Sequence, residues 1–275
     1  CPKTLLVQGT GSGYAMVERR QTAVSKEATM NISEMLKGSF AVSKQNPLIF
    51  VPMLVASVFS ALVSLIFVGS AMPMAGRFAG EQMAENPEQA MVGFGAALGG
   101  VFLVSIISGI VGLLAHGMTV AMADLALKGE KTTLGTGWSR LVTRIVPIII
   151  ASVVVGILVS LGMVLLFLPG IIIAFLLMFT LVAVMVDDAG AFDALGRSFR
   201  TVTRNFKATF VVFLVLIALG VLAAIAGMIL GLIPILGVVL TMIVSAVYAG
   251  YISIFIVAAY RNLEEQPGQA PEAEV

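Results

Sequence analysis

Carboxylates are the side chains this sequence gathers most suggestively. Asp187, Asp188 and Asp193 stand in the run DDAGAFD just beyond a long apolar stretch, and Asp124 stands at the matching exit of an earlier one. Aspartates placed this way can hold Mg²⁺ and, through it, a substrate diphosphate, as metal-dependent transfer of a lipid headgroup requires. That chemistry generally needs a second such cluster, and the sequence has none. Asp188 is therefore expected to cap the helix that follows, with Asp193 favouring its positive N-terminal end. Asp124, Asp187 and Asp188 stand as the candidate metal ligands.

Other chemistries have less material. His116 is the only histidine, so neither a haem with two axial histidines nor a histidine metal triad can be built. It is expected to be a packed or interfacial residue. Cys1 is the only cysteine, which excludes an internal disulfide. The glycine run Gly9–Gly13 lacks the strand-turn-helix setting of a phosphate loop. No Ser/His/Asp or Cys/His set is present, and no Lys, Arg, Asp or Glu falls mid-span, where ion-coupled carriers usually keep one. The expectation is a protein that is not an enzyme, with no cofactor and no nucleic-acid partner.

The second chemical set is basic, and it recurs. LKGSFAVSKQN (Leu36–Asn46) returns as LGRSFRTVTRN (Leu195–Asn205), and a looser copy, LGTGWSRLVTR, runs from Leu134 to Arg144. On a wheel of about 100° per residue, Leu195, Phe199, Val202 and Phe206 fall on one line. Arg197, Arg200, Arg204 and Lys207 fall opposite. The middle copy keeps the stripe as Leu134, Trp138, Leu141 and Ile145, although Gly135 and Gly137 weaken its helix. The first keeps Leu36 and Phe40, then loses the stripe to Ser43 and Pro47. A basic helix with an apolar stripe, next to a span, suits the headgroup layer of a membrane. The expected lipid-binding residues are Arg197, Arg200, Arg204, Lys207, Arg140, Arg144, Lys37 and Lys44.

What positions these residues is a membrane bundle. The 275 residues are 59% hydrophobic and only 11% charged, far from a soluble composition. Six stretches are long enough to span: Leu48–Ser70, Met91–Met118, Ile145–Leu168, Gly170–Val186, Ala208–Ile233 and Ile235–Tyr260. The fourth is short, about 25 Å at about 1.5 Å per residue. The second stays apolar to Leu127 and is expected to emerge as a continuous helix. Leu168-Pro169-Gly170 and Ile233–Gly237 read as tight hairpin turns, and Ala71–Ala90 as a long loop. Gly95 with Gly99, Gly227 with Gly231, and Ala246 with Gly250 have helix-contact spacing, for packing within the bundle or a dimer seam. Ser57, Ser60 and Ser64 share a face of the first span.

The fold expected is all-α, a polytopic bundle of six transmembrane helices arranged as three repeats of amphipathic helix plus helical hairpin. Of the 16 Lys and Arg residues, all but Arg77 fall on one side of it. The positive-inside rule then places both termini in the cytoplasm of a bacterial or archaeal cell. The repeats enter from one side, unlike the inverted duplications of many carriers. The bundle is expected over 30–263, with 264–275 a disordered tail. Residues 1–29 are expected to be a tail or sequence upstream of the native start, because the first repeat opens directly after Met30.

The stretch PGIIIAFLLMFTLVAVMVDDAGAFDALGRSFRTVTRNF (Pro169–Phe206), with AAYRNL (Ala258–Leu263), resembles a class of six-span bacterial and archaeal membrane proteins. That class is related to the membrane domain of some glycerophosphodiester phosphodiesterases. The resemblance implies a fold and no activity, since the soluble catalytic domain of those enzymes is not part of it. The function expected is binding of anionic lipid or envelope partners, with a homo-oligomer as a further partner. A transporter or lipid-handling carrier is the alternative, and a metal-dependent headgroup enzyme stands behind both.

Overall fold

A computed structural model describes residues 31–79, 87–233 and 236–265. The described residues form helices, with no strand among them. In chain order these are α1 (Ile32–Gln45), a 3-10 turn (Pro47–Phe50), α2 (Val51–Ala79) and α3 (Pro87–Leu127). They continue as α4 (Leu134–Leu165), α5 (Phe167–Leu176), α6 (Thr180–Val186), α7 (Ala191–Arg204), α8 (Phe206–Gly231) and α9 (Leu236–Glu265). Six stretches are long and apolar enough to cross a membrane, with α5 and α6 together making the fourth. The protein is a multi-pass α-helical membrane bundle. Lipid offers backbone groups no hydrogen bonds, so helices that satisfy their own are the structure such sequences can adopt.

Several expected boundaries move. The loop expected over 71–90 is mostly helix, since α2 runs to Ala79 and α3 begins at Pro87. The middle cassette is no separate helix but the first turns of α4. The difference lies in one residue. Asn46 and Asn205 end α1 and α7, each turning its side-chain amide back onto a carbonyl one turn earlier, Val42 at 3.2 Å and Thr201 at 3.3 Å. The middle copy has Arg144 at that register, and the helix continues through Pro147 to Leu165. The following turn also comes early, at Leu166 in extended conformation, which leaves Pro169 in the first turn of α5. Proline is tolerated there because the N–H it lacks has no intrahelical partner.

The fourth span is broken. Residues 177–179 form a turn between α5 and α6, although LLMFT contains neither Gly nor Pro to interrupt a helix. Phe179, inside the break, is fully buried.

Packing is dense at the end of the bundle where the cassettes lie. Val120–Ala123 of α3, Val182–Met185 of α6 and Ile254, Phe255, Val257, Ala259 and Tyr260 of α9 form one buried cluster there. At the opposite end Val164, Leu165, Met228 and Leu232 are exposed, as suits side chains facing lipid tails. Association in lipid depends on close approach rather than on apolar burial. Gly250 of α9 seats the ring of Phe50, and Gly162 of α4 crosses Gly170 of α5, where an added Cβ would fall 2.8 Å from the Gly170 Cα. Of the other expected contact glycines, Gly95, Gly99 and Gly231 have no described atom within 4 Å of where a Cβ would point, so they set no close helix contact among the described residues. Ser57 bonds back to the Met53 carbonyl of its own helix at 2.8 Å, which occupies its hydroxyl.

Candidate functional site

At the cassette end, four helix termini are stitched together by carboxylates and arginines. Asp124, in the last turns of α3, has no exposed side-chain surface. Its Oδ2 accepts from Lys128 Nζ at 2.9 Å and from Arg140 of α4 at 2.8 Å, and its Oδ1 accepts from Arg261 of α9. A bare carboxylate in this setting would cost several kcal/mol, and three cations offset that while tying α3, α4 and α9 together. Asp187 accepts from Arg197 of α7 at 3.0 Å and from the buried Tyr260 hydroxyl of α9. Arg144 of α4 reaches the segment between α6 and α7, bonding the Asp188 carboxylate at 2.8 Å and its backbone carbonyl at 2.7 Å. Asp188 lies in the left-handed region, with φ of 54°.

These contacts correct the metal reading. Asp124, Asp187 and Asp188 each face arginine, and the described residues hold no group of three or more His, Cys, Asp or Glu placed to bind a metal ion. The capping expectation is corrected too: Gly190 is the N-cap of α7, with no side-chain cap, because Asp188 is held by Arg144. Asp193 does stand in the first turn of α7.

The expected lipid-binding residues divide into two groups. Arg140, Arg144 and Arg197 are in ion pairs with Asp124, Asp188 and Asp187. Burial works against the charge of Arg197, but the bond to Asp187 and the fields of Asp187, Tyr260 and Glu264 raise its pKa above the usual arginine value. Lys37, Lys44, Arg200, Arg204 and Lys207 are exposed and form no ion pair among the described residues. Lys44 lies over the Phe40 ring, 4.6 Å from its centre.

The helix α7 has three faces rather than two. Ala191, Ala194, Ser198, Thr201 and Val202 are buried against the bundle. Phe192 and Phe199 form an exposed apolar stripe beside that face, continued by Phe206 at the start of α8, and Arg197, Arg200 and Arg204 form the polar third. The apolar line expected from the wheel is therefore split, with Val202 inward and Phe199 and Phe206 outward. One buried contact repairs the broken fourth span. The Ser198 hydroxyl donates to the Leu176 carbonyl at 2.9 Å and accepts the Phe179 N–H at 3.1 Å, bridging the gap between α5 and α6.

The same residue pair recurs in all three cassettes. Ser39, Gly137 and Ser198 are buried, and the next residues, Phe40, Trp138 and Phe199, are 54%, 55% and 51% exposed. Gly137 has no room to be larger, since a Cβ would meet Met122 Cγ at 2.6 Å. Beside α7, its arginines and the last turn of α9 enclose a pocket of about 410 Å³.

The sequence matches a domain of unknown function, DUF7847, over residues 30–263. The chain belongs to that family. No curated protein and no solved structure matches it. The DUF7847 match takes in every element of the site, from α1 through Leu263 near the end of α9.

Within this DUF7847 chain, reading by residue type missed Ser198, Tyr260, Arg261 and Lys128. Tyr260 and Arg261 stand in AAYRNL, a segment whose sequence was conspicuous but whose role was not. Lys128 follows Asp124 by four residues, the spacing of a helical ion pair, and was legible on that ground. Ser198 carried no local signal, because its partners lie in a helix break that the sequence does not announce.

Proposed function

We propose that this protein is a non-enzymatic membrane module whose three cassettes lie in the headgroup layer on the cytoplasmic face and bind anionic lipid. The observation that carries this reading is the recurring pair of a buried small residue and a half-exposed aromatic ring, with cations alongside that form no ion pair among the described residues. Aromatic rings with one wet edge favour the membrane interface. Lys37, Lys44, Arg200, Arg204 and Lys207 then supply about 1 kcal/mol each towards an anionic leaflet, less at high salt. The charge asymmetry supports the orientation, since Arg77 lies near the far end of α2 while the other cations of the described helices collect at the cassette end.

Trp138 makes the test direct, because it is the only tryptophan in the protein. Reconstituted in bilayers, its fluorescence should be quenched more by spin labels near the headgroup than by labels at the chain terminus. Native mass spectrometry should show phosphatidylglycerol retained over phosphatidylcholine, with the preference shrinking as salt rises. Free quenching of Trp138 by aqueous iodide, together with no preference for the anionic lipid, would overturn the reading.

A carrier has one observation in its favour, the discontinuous fourth span, since carriers often build substrate sites at such breaks. Here Ser198 occupies the break and Phe179 is buried within it, which favours the first reading. Lipid scrambling in proteoliposomes but not in empty liposomes would favour the carrier instead. Metal-assisted headgroup chemistry gains no support, because its three candidate carboxylates each face arginine.

A further inference from the structure

Arg197, Arg200 and Arg204 follow one another at three- and four-residue spacing on the polar face of α7, where like charges repel. Among the described residues the nearby carboxylates form a single ion pair with them. Asp187 takes Arg197 alone, and the Glu264 carboxylate accepts from the Thr201 hydroxyl. Asp193 and Glu264 border the same pocket, yet neither forms an ion pair with Arg200 or Arg204 among the described residues. Arg200 and Arg204 therefore line one pocket of about 410 Å³ beside Arg197, with no ion pair of their own among the described residues.

Gly196 lines the same pocket. It lies in the middle of α7, where glycine costs about 1 kcal/mol relative to alanine. No packing reason accounts for it, since a Cβ there would meet nothing within 4 Å. A larger side chain at 196 would instead fill space between Asp193 and Arg200. The neighbouring exposed stripe of Phe192 and Phe199 sets the mouth of the pocket beside an apolar surface.

We propose that this pocket is a phosphate site, in which Arg200 and Arg204 grip the oxygens of a phosphate ester and Arg197, oriented by Asp187, adds its field. Paired planar guanidinium groups match a phosphate, which offers several oxygens and more charge than a single carboxylate. The ester is either the headgroup of a lipid or a soluble phosphorylated compound. The site rests on the headgroup-layer placement proposed above only for the lipid source, so the two ideas can fail separately.

The test uses the full-length protein in phosphatidylcholine nanodiscs, with phosphatidic acid as the lipid probe and glycerol 3-phosphate as the soluble one. Native mass spectrometry and titration calorimetry read the binding. The double variant Arg200→Gln/Arg204→Gln should weaken binding at least tenfold, as loss of charged hydrogen bonds predicts. Gly196→Leu should do the same by filling the pocket, and should leave thermal stability unchanged or raised. Lys131→Gln, an exposed cation of the loop before α4 that has no part in the proposed lipid contacts, should leave site affinity within about twofold. Arginine-dependent binding of phosphatidic acid alone assigns the lipid source, and the same dependence for glycerol 3-phosphate assigns a soluble one. Equal affinity in the parent protein and Gly196→Leu would overturn the site, as would equal losses from the Lys131 and arginine variants. If Trp138 proves to be in water while arginine-dependent binding persists, the headgroup placement fails and the phosphate site stands.

Discussion

Replacing Ser198 by alanine tests whether the broken fourth span is held by the cassette behind it. The hydroxyl satisfies one donor and one acceptor of the backbone, the Phe179 N–H at 3.1 Å and the Leu176 carbonyl at 2.9 Å. Ser198 and Phe179 are fully buried, so water has no easy route to either group. Leaving a buried donor or acceptor unpaired costs about 1–3 kcal/mol each, which puts Ser198→Ala at about 3 kcal/mol in total. For a chain of this size that is a fall of roughly 6–12 °C in Tm, at about 2–4 °C per kcal/mol. The internal control is Ser39→Ala. Ser39 holds the same register in the first cassette and is equally buried, but its hydroxyl has no partner among the described residues. The helix it packs towards, α9, is unbroken and has no spare backbone groups to offer. Removing an unpaired hydroxyl should be neutral or slightly stabilising. Thermal unfolding in detergent reads both variants, and hydrogen exchange at Phe179 should accelerate in Ser198→Ala alone. Equal losses from the two substitutions would refute the argument, because they would show a generic cost of removing a cassette serine.

Asp124→Asn should destabilise by about 3–5 kcal/mol, since it strands Arg140 and Arg261 around a neutral amide. Lys128→Met should cost under about 1 kcal/mol, because that lysine is partly exposed and two arginines remain; denaturation by SDS titration would rank the two. Gly250→Ala drives a Cβ into the Phe50 ring and should cost about 1–3 kcal/mol. Phe50→Leu should recover part of that loss in the double variant, and additive losses would show that the contact is not the cause. Trp138→Ser should lower retention of phosphatidylglycerol while changing Tm by less than 2 °C on the order of a surface substitution, since its ring is half exposed.

Much of the architecture is legible because spans must be long and apolar, and six such stretches survive any reading of the sequence. What was not legible has three distinct causes. Counting positive charges locates the cassette end but is blind to partners, so Arg140, Arg144 and Arg197 looked free when Asp124, Asp188 and Asp187 had claimed them. The break at 177–179 lies in an apolar run, and only a serine nineteen residues later makes it tolerable. The third cause is more general. A helical wheel separates apolar from polar, which in water is the same as inside from outside. Next to lipid the two questions part, and size becomes the better guide. In α7 the small Ala194 and the polar Ser198 and Thr201 face the protein, while Phe192 and Phe199 face away. The rule explains why Gly137 and Ser198 can occupy one register position in two cassettes. Both are small enough for a neighbouring helix to approach, and Met122 fills above Gly137 what the α5–α6 break fills above Ser198. It also explains why the aromatic residue that follows each of them is never the one buried.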